Sequence, residues 1–120
     1  MITQTERLII RPFTEQDCEA LYLMNSNPEM LKYIPTAAFT AREQAVELFH
    51  KVIQVDYQQH GFGMYRVERK ADGASLGLCG LVYRDYLAKP DVGYAFFPEF
   101  AGMGYASEAA LAVFLYGKTV

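Results

Sequence analysis

The stretch of this chain best suited to chemistry reads Phe96-Phe97-Pro98-Glu99-Phe100-Ala101-Gly102-Met103-Gly104-Tyr105-Ala106. Two glycines one residue apart separate a segment of strand character from one of helix character. Glycine adopts backbone conformations closed to other residues and lets the main chain come close to a ligand. The first amides of a helix have no partner inside it and lie at the positive end of its dipole, so they can receive an anion such as a pyrophosphate. The same glycines would equally serve a plain strand-to-helix turn, and the residues alone leave both readings open. The third glycine of the dinucleotide fingerprint is missing, and no GxxxxGK[ST] phosphate loop is present.

Other side chains offer less. Asp91 opens the preceding strand, where a carboxylate could attract an ammonium group or move a proton; a solvent-facing loop carboxylate is the alternative. Glu99 follows Pro98 and is a lesser candidate. Glu108 falls in the first turn of the last helix, where its charge suits the dipole and points to capping rather than catalysis. His50 and His60 form no HxxxH pair and have no cysteine cluster nearby, so no metal is expected. Cys79 reads as a small buried hydrophobe, and Cys18 has no evident His–Asp partnership. Tyr33 and Tyr83 lie near loops and could line a substrate pocket or simply pack. Arg7, Arg11, Arg66 and Arg69 do not establish a basic groove for nucleic acid.

The elements that must position these residues follow from pattern. Leu8, Ile9 and Ile10 predict a short strand stopped by Pro12, at a sheet edge if the proline remains within it. Thr14 and Asp17 can cap a helix carrying Leu21, Tyr22 and Met24, ended by Asn25 to Pro28. Thr40 and Glu43 predict a capping box for the strongest helix. Its apolar face runs through Ala45, Val46, Phe49, Val52, Ile53 and Tyr57, closing near His60 and Gly61. Strands are expected over Phe62 to Arg69, Ser75 to Tyr83 and Asp91 to Phe97, the first two joined by a Lys70-Ala71-Asp72-Gly73 reversal. A helix from Ser107 to Tyr116, apolar on most sides, completes the pattern, and most of Phe49, Phe62, Phe96, Phe97 and Phe114 are expected in the core. The order predicts an α+β fold with a mainly antiparallel sheet flanked by helices.

A length of 120 residues fits one domain. A net charge of −3 disfavours a nucleic-acid surface and weakly favours a cationic partner. Two cysteines are too few for a disulfide scaffold and suit a reducing compartment. The start lacks a signal-peptide pattern and no stretch reads as a membrane span, so a soluble cytoplasmic domain is expected.

In this order of elements the chain resembles the GCN5-related N-acetyltransferase (GNAT) superfamily, within it the branch of ribosomal-protein N-terminal acetyltransferases. Thr5-Glu6-Arg7-Leu8-Ile9-Ile10-Arg11-Pro12-Phe13 resembles that branch's opening strand, and Asn27-Pro28-Glu29-Met30-Leu31-Lys32-Tyr33 its segment after the first helix. Gly61 to Tyr65, Leu76 to Leu81 and Val92-Gly93-Tyr94 fall in the family's order. The glycine turn with Tyr105, Ala106, Glu108 and Ala109 is similar to its acetyl-CoA-binding motif.

The resemblance implies acetyl-CoA beside the strand Asp91 to Phe97. Phe96 and Phe97 would hold the thioester and pantetheine arm, with an amide near them facing the developing oxyanion. Ala101, Gly102, Met103, Gly104, Tyr105 and Ala106 would receive the pyrophosphate. Ala101 and Met103 stand where the family often places cationic or amide side chains, so the amides would act without that help. The implied reaction is acyl transfer to a primary amine, on a small molecule or a peptide N-terminus, with Asp91 as the candidate for proton transfer and Tyr33 and Tyr83 for the acceptor. A non-catalytic acyl-CoA-binding module and a structural or interaction fragment are the alternatives. By the same resemblance, residues 1–120 correspond to a partial domain lacking its C-terminal third. A homodimer could then complete the sheet in trans.

Overall fold

The computed structural model describes residues 2–32, 38–82 and 91–118. Strand β1 (Thr3–Gln4) is followed by β2 (Leu8–Pro12), α1 (Cys18–Met24), α2 (Arg42–Leu48), α3 (Gln54–His60), β3 (Met64–Arg69), β4 (Ser75–Val82), β5 (Asp91–Phe96) and α4 (Tyr105–Gly117). The strands form one five-stranded sheet in chain order, β1-β2-β3-β4-β5, with every pairing antiparallel. The predicted α+β fold of helices around a mainly antiparallel sheet is therefore the observed one.

Alternation of side chains across the sheet builds two cores. Leu8, Ile10, Val67, Leu76, Cys79 and Leu81 turn to one face and pack under Tyr105, Ala109 and Val113 of α4. On the other face Phe13, Leu21, Met24, Ala45, Phe49, Ile53 and Ala95 join α1, α2 and α3 to the sheet. The result is a sheet between two helical layers. The Tyr57 hydroxyl ties that second layer to the strands: it donates to the Met64 carbonyl at 2.5 Å and accepts from the Phe13 amide at 3.0 Å.

Four expectations are corrected. The strand around Leu8–Ile10 is not at an edge. β1 lies outside it, held by Ile2 N–H to Ile10 O and Thr5 N–H to Leu8 O, both 2.9 Å. Pro12 is the last residue of the strand, opposite Tyr65, so the strand does stop there as expected. The capping partner of α2 is Gln44 and not Glu43, because the helix starts one residue later. Gln44 Oε1 accepts from the amides of Thr40 (2.7 Å) and Ala41 (3.0 Å).

The long helix is not uniform either. Residues Phe49–Ile53 wind as a π segment between α2 and α3. Its wider turn keeps Ala45, Phe49 and Ile53, spaced by four, on the core side. Val46 and Val52 are thereby left 38% and 48% exposed. Finally, α4 buries a single stripe, and Leu111, Phe114 and Leu115 on its outer side are exposed, so Phe114 is not a core residue.

Thr14 and Asp17 do meet as predicted, with the Asp17 carboxylate accepting from the Thr14 amide at 2.8 Å. They cap a short 3₁₀ turn, Glu15–Asp17, that leads into α1. Asp17 is also the centre of a buried charge cluster that local pattern does not show. It is 4% exposed, and its oxygens accept from Arg11 at 2.8 and 3.0 Å and from Arg66 at 2.8 Å. Glu68 completes the cluster from β3, 3.4 Å from Arg11 and 3.2 Å from Arg66.

Candidate active site

The glycine turn is built as its sequence requires. Gly102 and Gly104 have φ of +80° and +79°, the left-handed region that glycine occupies without strain. Pro98–Phe100 makes a single 3₁₀ turn after β5, and Gly104 is the N-cap of α4. Inside the helix the ladder begins where the Glu108 amide donates to Gly104 O at 3.1 Å. The amides of Tyr105, Ala106 and Ser107 precede that bond and have no carbonyl within the helix to accept from them.

These amides border a cleft of about 520 Å³, whose wall continues along Tyr94, Ala95, Phe96 and Phe97 of the β5 end and across Phe100 to the turn. Such a volume falls in the range of small-molecule sites, about 300–1,000 Å³. Of the residues singled out from sequence, Phe96, Phe97, Ala101, Gly102, Gly104, Tyr105 and Ala106 line this one cleft. Met103 does not line it. Its side chain is 48% exposed and its carbonyl accepts from Arg7 at 3.0 Å. Tyr33 and Tyr83 lie outside the described residues.

Register distinguishes the two phenylalanine amides. Phe96 stands opposite Gly77, and the Phe97 amide donates to Leu76 O at 3.0 Å. Backbone groups alternate between the two sides of a strand. The Phe97 amide is therefore committed to β4, whereas those of Tyr94 and Phe96 point to the other edge of β5, where no strand pairs among the described residues. Gly77 allows the close approach of β4 here, since a Cβ on it would stand 2.3 Å from Ala95 O.

Asp91 begins β5 opposite Val82, at the far end of the strand from Phe96, and is not among the cleft-lining residues. Glu99 is exposed and lines a separate hollow with Asn27 and Ser75. Burial pushes the Cys79 thiol up to about 12, which keeps it protonated in the core. The Cys18 thiol is likewise raised, by burial first and then by Glu15 and Asp17. His60 stacks on Phe62, with ring centroids 5.7 Å apart.

Glu108 lies in the first turn of α4 but makes no capping hydrogen bond to it, contrary to expectation, and is turned to the β1–β2 hairpin instead. Its carboxylate accepts from the hydroxyl of Thr5 and from Arg7 Nε at 2.7 Å, and its pKa is lowered because those bonds overcome a larger opposing contribution from burial. Three site features were not singled out from sequence: Glu29, the one charged side chain among the described residues lining the cleft; Tyr94, 50% exposed on β5; and Arg7 beside the turn. Tyr94 has a signal in the alternation of β5. Glu29 and Arg7 reach the site from distant parts of the chain and have none.

Comparison with known proteins agrees with this geometry. Residues 7–119 match the acetyltransferase (GNAT) domain family. The uncharacterized N-acetyltransferases YoaA and YnaD of Bacillus subtilis (strain 168) are 30% and 31% identical, over 97% and 94% of this chain. The chain spans 66% and 63% of their respective lengths. A GNAT-family acetyltransferase from Bacillus anthracis superimposes with a TM-score of 0.76 at 29% identity, over 95% of this chain and 64% of that one. Spermidine N-acetyltransferase from Vibrio cholerae, solved in complex with CoA and spermine, shares the fold at a TM-score of 0.77 and 19% identity, over 97% of this chain and 66% of that one. With the family matched over nearly the whole sequence and its sheet and glycine turn in place, the chain belongs to the GNAT acetyltransferase family.

Proposed function

We propose that this chain forms the acetyl-CoA-binding part of an N-acetyltransferase that acts on a primary amine. The observation that carries the reading is the single cleft in which the edge-facing amides of β5 and the unpaired first-turn amides of α4 converge. The residues present fit the group. Gly102 has open space where a Cβ would stand, so the turn admits a bulky anion, and three unpaired amides with the α4 dipole match a pyrophosphate. Ala101 and Met103 add no cationic donor, leaving recognition there to the main chain.

Bound acetyl-CoA supplies an activated acyl carbon; in the transfer its C–S bond breaks and a C–N bond to the amine forms. The chain's own groups do the rest. The Phe96 and Tyr94 amides, free of β4, can donate to the acyl oxygen where negative charge develops. Tyr94, Phe96, Phe97 and Phe100 line the cleft with apolar surface that excludes water. The amine must lose a proton to attack. Asp91, five residues from Phe96 along an extended strand and so about 16 Å away, is out of reach of the acyl carbon, and its proposed part is to attract the ammonium form of the acceptor. Glu29, whose carboxylate accepts from Lys32 Nζ at 2.8 Å, sets a partly neutralised carboxylate at the cleft, and a cationic acceptor, such as a polyamine or a peptide N-terminus, would compete for it. Its two thiols suit action in the cytoplasm.

Calorimetric titration of acetyl-CoA tests this directly. Saturable binding at one ligand per chain is expected, followed by thiol release when a peptide N-terminus, a polyamine and a small amine are offered in turn. Absence of binding by a folded sample overturns the proposal. Binding without turnover on any amine would instead support a non-catalytic acyl-CoA-binding module.

A further inference from the structure

The Gly102–Gly104 turn has little that fixes it from within. Residues 101–104 are all exposed, and a Cβ at Gly102 would meet nothing within 4 Å. Two left-handed glycines are also conformationally permissive. Yet the amides that follow must present a fixed geometry if they are to hold an anion.

The restraint comes from the β1–β2 hairpin. Arg7 donates from its guanidinium to the Met103 carbonyl at 3.0 Å and approaches the Glu108 carboxylate at 2.6 Å. It also lies over the Tyr105 ring, 4.4 Å from the centroid. One side chain thus holds the turn on both sides of the Gly104 N-cap of α4, at Met103 before it and at Tyr105 and Glu108 after it. Its own backbone is anchored to the sheet: the Arg7 carbonyl accepts from the Lys70 amide at 2.9 Å, and its amide donates to Glu108 at 3.2 Å.

From this convergence we infer that Arg7 is a positioning residue of the ligand-binding turn, setting the first-turn amides of α4 for the anion from outside the cleft. The inference rests on the acetyl-CoA reading of that cleft. Arg7 and Glu108 neutralise each other, so the contribution is one of geometry, with little added positive field. An ion pair as exposed as this one adds little to global stability, so its loss is read locally. Lysine cannot replace it fully, because the planar fork is what reaches Met103, Glu108 and the ring face together.

The test compares the unaltered chain with Arg7→Met, which keeps length without donors, and Arg7→Lys. Without ligand, hydrogen exchange of the Glu108 amide and the two that follow reports whether the first turn of α4 frays. Expected in Arg7→Met is exchange faster by about tenfold at these amides, with β3 and β4 unchanged. An acetyl-CoA Kd weaker by about tenfold is expected with it, since a loosened cradle must be ordered on binding. Arg7→Lys falls between. Unchanged exchange overturns the inference, as does a uniform rise throughout the protein, which would mark a merely structural role. So does an unchanged Kd. If the unaltered chain does not bind acetyl-CoA, the functional proposal fails, while the exchange comparison still decides whether Arg7 holds the turn.

Discussion

Two arginine–carboxylate clusters stand on opposite faces of the same sheet, and they are built to opposite designs. Asp17 is 4% exposed and faces Arg11 and Arg66, with Glu68 close behind, in a setting where each charge is spent on another. Glu108 meets Arg7 in the open, with side-chain exposures of 20% and 43%. The first locks a helical layer to the sheet, away from the candidate cleft. The second lies against the turn that borders one. One kind of ion pair thus acts as a fold determinant when dehydrated and as an aiming device when left wet.

The largest effect is expected at Asp17. Replacing it with alanine leaves two guanidinium groups without their shared acceptor, and a loss of about 3–5 kcal/mol is expected in urea unfolding. A variant that unfolds at the same urea concentration as the unaltered chain would show the cluster to be dispensable.

Acid sharpens the same point. Burial alone would raise the Asp17 carboxyl, but the bonds from Arg11 and Thr14 and the nearby Arg66 prevail and hold it at about 2, against an ordinary 3.8. The carboxyl therefore titrates lower in the folded chain than in the unfolded one. Its contribution is complete above about pH 4 and is lost as pH falls towards 2, a decline of about 2 kcal/mol. Asp17→Asn should lack that part of the decline when stability is followed across this window.

On the open side the effects on folding are smaller. Gly104→Ala places a side chain in the left-handed region and should cost about 1–2 kcal/mol, with weaker acetyl-CoA binding as the accompanying sign. Arg7→Met should cost under about 1 kcal/mol of stability, the least of the series, while it moves binding. A larger stability loss at Arg7 than at Asp17 would reverse the contrast.

What could be read in advance follows from how far apart interacting residues lie in the chain. The β3–β4 hairpin was legible because alternation and the Lys70–Gly73 reversal are local. Gly102 and Gly104 marked the turn for the same reason, since left-handed φ leaves a compositional trace. β1 was not legible: Thr3–Gln4 has no apolar alternation and exists through its pairing with Ile10 and Ile9. Asp17 showed its bond to Thr14, three residues away, but not its bond to Arg66, separated by 49 positions. Arg7 and Glu108, 101 positions apart, share no local pattern. The cleft's glycines were thus visible in the sequence, and the side chain that aims them was not.

The π segment at Phe49–Ile53 has a bearing on how this chain tolerates changes of length. A π turn contains one residue more than an α turn spanning the same stretch. Val52 lies in it, half exposed and outside both cores. Removing that residue converts the segment to α winding while α2 and α3 keep their phase. Tyr57 then still reaches the Phe13 amide and the Met64 carbonyl. A single-residue gap at this point is in effect silent to the sheet, whereas the same gap in α2 or α3 would rotate every residue beyond it.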